Sequence, residues 1–272
     1  MLMMQEKDFL WLASYMKDTY GIDLHKKKEI VEGRLEPYLH RNGYVNYQVW
    51  MEELKKKTSG RLEKELVDLL TTNHTFFMRE FLHFDYMRQV VLPYLKRKEE
   101  KRRDLAIWCA AASTGQEPYM IAMLLREYFG LDYDAWDTQV LATDISEEAL
   151  RKAVKGEYSR EQIQELPDQW RRRFLKKMPD GEHFVVTDDI KSQVIFRKFN
   201  LMEAFPFRRK MHVIFLRNVM IYFDAKTKRE LLEKIYEQLL PGGYLFIGRT
   251  ESLERNYVPL EIIQPSIFRK PG

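Results

Sequence analysis

The stretch DLAIWCAAASTGQEPYMIAMLL, residues 104–125, decides how this chain is read. Leu105 to Cys109 is a short apolar run of strand length. It ends in small residues, Ala110, Ala111, Ala112 and Ser113, followed by Gly115 and a helical pattern from Glu117 to Phe129. A buried strand that turns into a helix through small residues opens a βαβ unit. Ligands bind past the carboxyl end of such a strand, where small side chains let them approach the backbone and glycine permits the sharp turn. No Gly-Lys-Ser/Thr follows, so the turn is not a P-loop, and GxGxxG is absent as well.

The pattern extends downstream. VLATDIS (140–146) is a second apolar run, ending in Asp144, 29 residues beyond Gly115, and a helix follows over Glu147 to Lys155. An acid at the end of a second strand suits a ribose diol. The competing reading is a helix cap, a task that Ser146 can take instead. His212 to Leu216 is a further run, Lys226 to Leu239 a helix and Tyr244 to Ile247 a run, with Pro241-Gly242-Gly243 expected as the turn between them. In VIFLRNVMIYFD (213–224), Arg217 and Asn218 interrupt apolar sequence and need partners or a ligand. Alternating runs and helices predict an α/β fold with a largely parallel sheet. Between Tyr158 and Asn200 the rhythm is lost. A helical part over Arg160 to Lys177, the turn Pro179-Asp180-Gly181, and the runs Phe184-Val185-Val186 and Val194-Ile195-Phe196 predict a small antiparallel insertion near 178–199.

Upstream, residues 1–80 are helical by spacing. Phe9, Leu12, Ala13, Met16 and Tyr20 recur on one face, as do Val31, Leu35, Tyr38 and Leu39, and then Trp50, Leu54, Leu62, Leu66, Leu69 and Leu70. Breaks are expected at Gly21, Asn42-Gly43 and Thr58-Ser59-Gly60, and Pro37 has to kink or restart its helix. LLTTNHTFFMRE (69–80) reads as a polar cap region before two aromatics and Arg79. Residues 81–103 read as a linker, ending in a basic run (96–103) of six bases and two acids taken as a solvated segment. The α/β portion is expected over 104–272.

Composition narrows the class. With 45% hydrophobic and 32% charged residues the chain is globular, not disordered. A net charge of +4 is too small and too dispersed for a dedicated nucleic-acid binder. The one cysteine, Cys109, excludes an internal disulfide and fits a reducing, cytoplasmic compartment. The six histidines show no metal-ligand spacing, so no metal site is expected. No apolar run is long enough to span a bilayer, and MLMMQEKDF meets charge too early for a signal peptide.

Five segments in order carry a specific resemblance. They are Thr71-Thr72-Asn73-His74-Thr75, Trp108 through Tyr119, Ala142-Thr143-Asp144-Ile145, Asn200-Leu201, and Arg217 through Phe223. Together they resemble the CheR family, the S-adenosylmethionine-dependent chemotaxis receptor methyltransferases, over nearly the whole chain. The resemblance implies a Rossmann-like methyltransferase domain with a small antiparallel β-subdomain insertion, preceded by an all-α N-terminal domain. It implies methyl transfer to glutamate side chains of methyl-accepting chemoreceptors, with S-adenosylhomocysteine as product. Carried over by motif, cofactor contacts fall on Asn73, Thr75, Arg79, Glu117, Asp144, Asn200, Leu201, Arg217 and Asn218. Catalytic positions fall on Arg79 and Tyr222. In this reading Glu117 meets the cofactor's ammonium group and Asn200 an adenine edge.

The chain also departs from the family pattern. His212 replaces an acid, and Gln116 replaces the first Glu of Glu-Glu-Pro. The basic helix that docks receptors keeps Lys26, Lys27, Lys28, Arg34 and Arg41 but acquires Glu36 and Pro37. The β-loop over Lys176 to His183 has one glycine and no arginine, which predicts that a receptor's C-terminal pentapeptide tether is not bound. The alternative function is a cofactor-binding sensor or scaffold of the same fold without transfer. The intact Arg79, Asp144 and Tyr222 count against it. A nucleic-acid methyltransferase lacks support, because the Asn/Asp-Pro-Pro-Tyr motifs are absent.

Overall fold

The computed structural model describes residues 3–56, 60–254 and 257–272. Four helices come first: α1 (Glu6–Tyr20), α2 (Lys28–Arg41), α3 (Tyr47–Lys56) and α4 (Gly60–Leu70). Their inward stripes are those of the sequence pattern. Leu12 and Met16 of α1, Leu35 and Leu39 of α2, Trp50 of α3 and Leu66 of α4 are fully buried. Gly21 ends α1 in the left-handed conformation that glycine adopts without strain, its N–H returning to Lys17 O. Pro37 lies inside α2 without ending it. Pro37 and Gly33, whose carbonyl loses its partner, are both exposed, so water can satisfy that carbonyl. Thr58 and Ser59 of the expected third break lie outside the described residues.

The stretch read as a linker is folded. It comprises α5 (Leu82–Tyr86), one π turn (Met87–Val91) and α6 (Leu92–Lys98), and it buries Phe84, Met87, Val91, Leu92 and Leu95 in the core of the sheet. Glu99, within the basic run, is also buried. Its Oε1 lies 3.4 Å from Nε2 of His212, whose Nδ1 accepts the Ala106 N–H at 2.9 Å. Burial holds the His212 imidazole below its usual pKa against the pull of Glu99.

The remainder alternates strand and helix: β1 (Ile107–Cys109), α7 (Gln116–Phe129), β2 (Val140–Asp144), α8 (Glu147–Lys155), β3 (Glu157–Ser159), α9 (Asp168–Phe174), β4 (Leu175–Lys177), β5 (His183–Val186), α10 (Asp188–Lys191), β6 (Val194–Lys198), β7 (Met211–Leu216), α11 (Ala225–Gln238), β8 (Leu239–Ile247), β9 (Glu261–Gln264) and β10 (Ile267–Arg269). The main sheet has the order β6-β2-β1-β7-β8-β10-β9. Neighbours from β6 through β8 pair in parallel, and β10 is antiparallel to both β8 and β9. This is a Rossmann-like α/β fold. Its strand order reverses between β1 and β7, so the crevice for a ligand opens above their carboxyl ends.

Two local expectations are corrected. Val194-Ile195-Phe196 belongs to β6, a parallel edge strand of the main sheet paired with β2, not to the insertion. The small antiparallel sheet is instead β3-β5-β4, and between Arg160 and Lys177 only Asp168–Phe174 is α-helical. Pro241-Gly242-Gly243 falls within β8, which begins at Leu239. The register with β7 shifts there, so the segment is an irregularity inside a strand rather than a turn before one.

The apolar side chains of α1–α4 form one cluster with Trp108, Ile214, Leu216 and Leu245 from one face of the sheet. Trp108 anchors that face. Its Nε1 donates to Thr143 Oγ1 at 2.9 Å, and its ring meets Phe205 and Phe207 edge-on. The N-terminal helices thus share a core with the sheet and stand over its carboxyl edge.

Candidate active site

The cleft above β1 and β7 encloses about 1040 Å³ of non-atom space, open solvent at its mouth included. Its lining includes all ten residues singled out above: Asn73, Thr75, Arg79, Glu117, Asp144, Asn200, Leu201, Arg217, Asn218 and Tyr222. Tyr20 and Ile22 from the end of α1, with Leu70 and Thr71 from the end of α4, complete the wall.

The back wall is the turn from β1 to α7. Ala110, Ala111 and Ser113 face the cleft, and Ser113 takes a positive φ of 49°. Gly115 (φ 96°) serves packing as well as the turn. A Cβ there would lie 2.9 Å from Ala153 Cβ and 2.9 Å from the Tyr158 hydroxyl, so protein rather than ligand fills that space. Asp144, at the end of β2, accepts the Ser113 N–H at 2.7 Å and the Ser146 N–H at 2.9 Å. Burial pushes its carboxyl up, and these N–H groups pull against that shift. The cap of α8 is Ser146, whose Oγ accepts the Ala149 N–H at 3.0 Å. Ser146 also donates to Asp68 of α4 at 2.6 Å, which ties the N-terminal helices to this edge.

The floor is ionic. Arg217, 5% exposed, extends from the end of β7 between two carboxylates. One guanidinium nitrogen bonds Glu117 of α7, two others reach Glu80 at 3.2 and 3.3 Å, and one also donates to Arg79 O at 2.6 Å. Asn218 donates its amide to Glu80 at 3.3 Å, and the Arg249 N–H reaches Glu80 at 3.2 Å. Burial alone would raise the Glu80 carboxyl. Arg217, Asn218 and the Arg249 N–H together outweigh it, Arg217 foremost, and hold the group below the usual range. Beneath, the buried Cys109 thiol donates to Glu117 at 3.1 Å and is held protonated by burial.

The loop 71–80 forms the front wall. It is not a helix cap region: α4 ends at Leu70 and the next α-helix begins only at Leu82. Met78 (φ 67°) and Glu80 (φ 53°) are left-handed on either side of Arg79, a strained arrangement held by the Arg217–Glu80 contacts. Arg79 donates to His74 O at 2.8 Å and lies over the Phe76 ring. Asn73 O accepts from Ser113 Oγ at 3.1 Å, which closes the loop onto the back wall. Tyr222 ends a single 3-10 turn (Met220–Tyr222). Its carbonyl accepts the Asp23 N–H at 2.9 Å, and Lys27 stands over its ring. Asn200 is partly committed, since its amide donates to Thr19 O at 2.8 Å and its oxygen accepts the Met202 N–H at 3.0 Å. One amide hydrogen is left for a ligand.

Sequence reasoning missed Glu80, Glu251 and Asp68. Glu80 lay in the quoted loop, next to Arg79, and an arginine buried in a strand end called for such an acid. No local signal marked Glu251 or Asp68, whose distant partners Asn218 and Ser146 are 33 and 78 residues away.

This donor set suits S-adenosylmethionine. The Arg217–Glu117 pair complements an amino-acid carboxylate and ammonium, Asp144 a ribose diol, and Ile145, Phe199 and Val219 an apolar ring. A family model described as "CheR methyltransferase, SAM binding domain" matches residues 73–267. The chain is 39% identical over 263 residues to a chemotaxis protein methyltransferase of Borreliella burgdorferi, covering 95% of this chain and 92% of that one. It is 34% identical to chemotaxis protein methyltransferase Cher2 of Pseudomonas putida, with 90% of both chains covered. With chemotaxis protein methyltransferase 1 of Pseudomonas aeruginosa it shares 35% identity, again over 90% of each. The cleft, its ionic floor and these likenesses agree, and the chain belongs to the CheR family of S-adenosylmethionine-dependent chemotaxis methyltransferases.

Proposed function

We propose that the chain is a protein-glutamate O-methyltransferase that esterifies glutamate side chains in the cytoplasmic helical region of methyl-accepting chemoreceptors, forming γ-glutamyl methyl esters. The observation that carries this reading is the pairing at the cleft. Arg79 and Tyr222, two hydrogen-bond donors, line it, while Glu117 and Asp144 already accept hydrogen bonds from the protein. A glutamate acceptor has a reference pKa near ~4.3 and is ionised at neutral pH, so it needs no general base. What it needs is alignment and removal of water. Bound S-adenosylmethionine supplies a methyl group on a positively charged sulfonium. Arg79 orients the acceptor oxygen by a charge-assisted hydrogen bond, and the Tyr222 hydroxyl does so by a neutral one. Glu117, Asp144, Asn200 and Arg217 would hold the donor's polar ends.

The receptor contact surface is narrower than the basic residues of α2 suggest. Arg34 is turned inward, donating to Leu70 O and Thr71 O at 3.0 Å and to Thr72 Oγ1 at 2.8 Å. It supports the front loop of the cleft. Lys28 pairs with Glu6 at 2.7 Å, and Lys26 and Arg41 remain exposed. The β4–β5 loop is closed on itself: Asp180 accepts the N–H groups of Glu182 and His183, each at 3.0 Å. That closure favours independence from a pentapeptide tether. Such a role puts the protein in the cytoplasm, and among the described residues no helix is long and apolar enough to cross a membrane. The test is peptide mapping of a receptor cytoplasmic fragment after incubation with enzyme and cofactor. The expected product carries the added methyl on glutamate, and modification confined to lysine or arginine would overturn the reading.

A further inference from the structure

Asn218 and Tyr222 are four residues apart on a short segment with little regular structure, and something must fix both. Asn218 is left-handed (φ 56°) and is followed by the 3-10 turn Met220–Tyr222. Glu251, just beyond the end of β8, reaches this segment from behind. Its Oε2 accepts the Asn218 N–H at 2.9 Å and the Gly248 N–H at 2.6 Å. Its other oxygen, Oε1, is buried and has no hydrogen-bond partner; the Met220 and Ile221 N–H groups face the same carboxylate and, with those of Gly248 and Asn218, pull against the rise that burial imposes on it. Gly248 makes room for the arrangement: a Cβ there would stand 2.3 Å from Asn218 Nδ2 and 2.8 Å from Glu251 Oε2. Glu251 itself does not line the cleft.

We propose that Glu251 is a positioning residue for methyl transfer, which ties the Asn218 N–H to the Gly248 N–H at the end of β8, holds Asn218 left-handed and so fixes the backbone that enters the Met220–Tyr222 turn. It thereby sets where the Asn218 amide and the Tyr222 hydroxyl stand in the cleft. The physical case is the acceptor count. A carboxylate offers about four lone-pair sites to N–H groups that converge from one side. A glutamine could turn its carbonyl oxygen to the Asn218 and Gly248 N–H groups, but it would accept there with a neutral oxygen in place of a charged one, and its NH₂ would then face the Met220–Ile221 backbone. The share of the proposal that concerns Tyr222 rests on the acceptor role given to that residue above.

The test compares Glu251→Gln, Glu251→Asp, Tyr222→Phe and the control Glu254→Gln, an exposed acid three residues on. Binding of S-adenosylhomocysteine is titrated calorimetrically, with the folded fraction taken from the stoichiometry. Methyl transfer to receptor fragments gives kcat and KM. Hydrogen bonds to a charged group are worth enough that E251Q should lose roughly tenfold or more in product affinity and in kcat per folded molecule. E251D should recover part of both, and E254Q should match the wild type. An E251Q protein that binds and turns over normally per folded molecule, whatever its melting temperature, overturns the proposal. A fully active Y222F beside an impaired E251Q upholds Glu251's hold on Asn218 and removes only the Tyr222 assignment. An inactive Y222F beside a normal E251Q does the reverse.

Discussion

Replacing Arg217 by methionine tests the ionic floor most sharply. Methionine keeps much of the side chain's length and removes its charge. Arg217 is 5% exposed and is shared by two carboxylates, Glu80 and Glu117, whose side chains are each 14% exposed. Breaking a buried pair by removing one partner costs about 3–5 kcal/mol, because the remaining charge is left without compensation. In a chain of this size that lowers the melting temperature by roughly 6–20 °C. The pH dependence gives the sign. In the wild type Glu80 is held below its usual pKa, so its contribution is present above the ordinary carboxylate range and is lost only as pH falls through the lowered value. Without Arg217, burial is the largest remaining influence and raises the same group. The folded variant then takes up a proton more readily than the unfolded chain, and the deficit of Arg217→Met shrinks as pH falls towards about 5. Urea unfolding at neutral and mildly acidic pH measures this. Adding Glu80→Gln to Arg217→Met should restore at least half of the loss. A melting temperature within about 2 °C of wild type, or a deficit that grows on acidification, would refute the reasoning.

Other expectations follow from single contacts. Ser146→Ala removes the α8 cap and a bond to Asp68, and should cost about 1–2 kcal/mol in urea unfolding and loosen product binding next to Asp144. Gly115→Ala forces a left-handed non-glycine against Ala153, and should cost more than about 1 kcal/mol, whereas Gly43→Ala, left-handed but in open space, should show the conformational cost alone. His83 is buried against Ser266 with its pKa lowered to about 4, so the unfolded chain takes a proton between pH 6.5 and 4 while the folded one does not. Stability should fall by about 1.4 kcal/mol per pH unit across that window from this group, and His83→Gln should remove that slope in calorimetry. Arg79→Ala should lower kcat about a hundredfold or more in single-turnover transfer, with a smaller change in receptor-fragment KM.

The parts of the fold legible in sequence were those coded by local pattern. The strand–turn–helix at 104–125 and the run to Asp144 needed only an apolar stretch, small residues and a helical period. The helical stretch 82–98 was hidden because Lys96, Arg97 and Lys98 crowd its solvent side, while its inward stripe of Phe84, Met87, Val91 and Leu95 is interrupted by a π turn. β6 was misplaced because a three-residue apolar run carries no mark of the strand it pairs with. Parallel pairing to β2 is decided by the tertiary fold. The site was legible as a list of residues and not as a network. Asn200 reads as a ligand-binding amide, yet one of its two amide hydrogens is held by Thr19 O. Arg34 reads as a surface base, yet it braces the front loop. Glu251 is silent in sequence because its partners are main-chain N–H groups, of Gly248 nearby and of Asn218 at the end of another strand, which leave no side-chain pattern.

Release of methanol tests the central claim most directly. Receptor-bearing membranes are incubated with enzyme and cofactor labelled in the methyl group, the protein is treated with mild base, and volatile label is collected. The account predicts base-labile label recovered as methanol, the signature of a carboxyl methyl ester. Label that survives base on the receptor would mean transfer to nitrogen or another stable acceptor, and would contradict it.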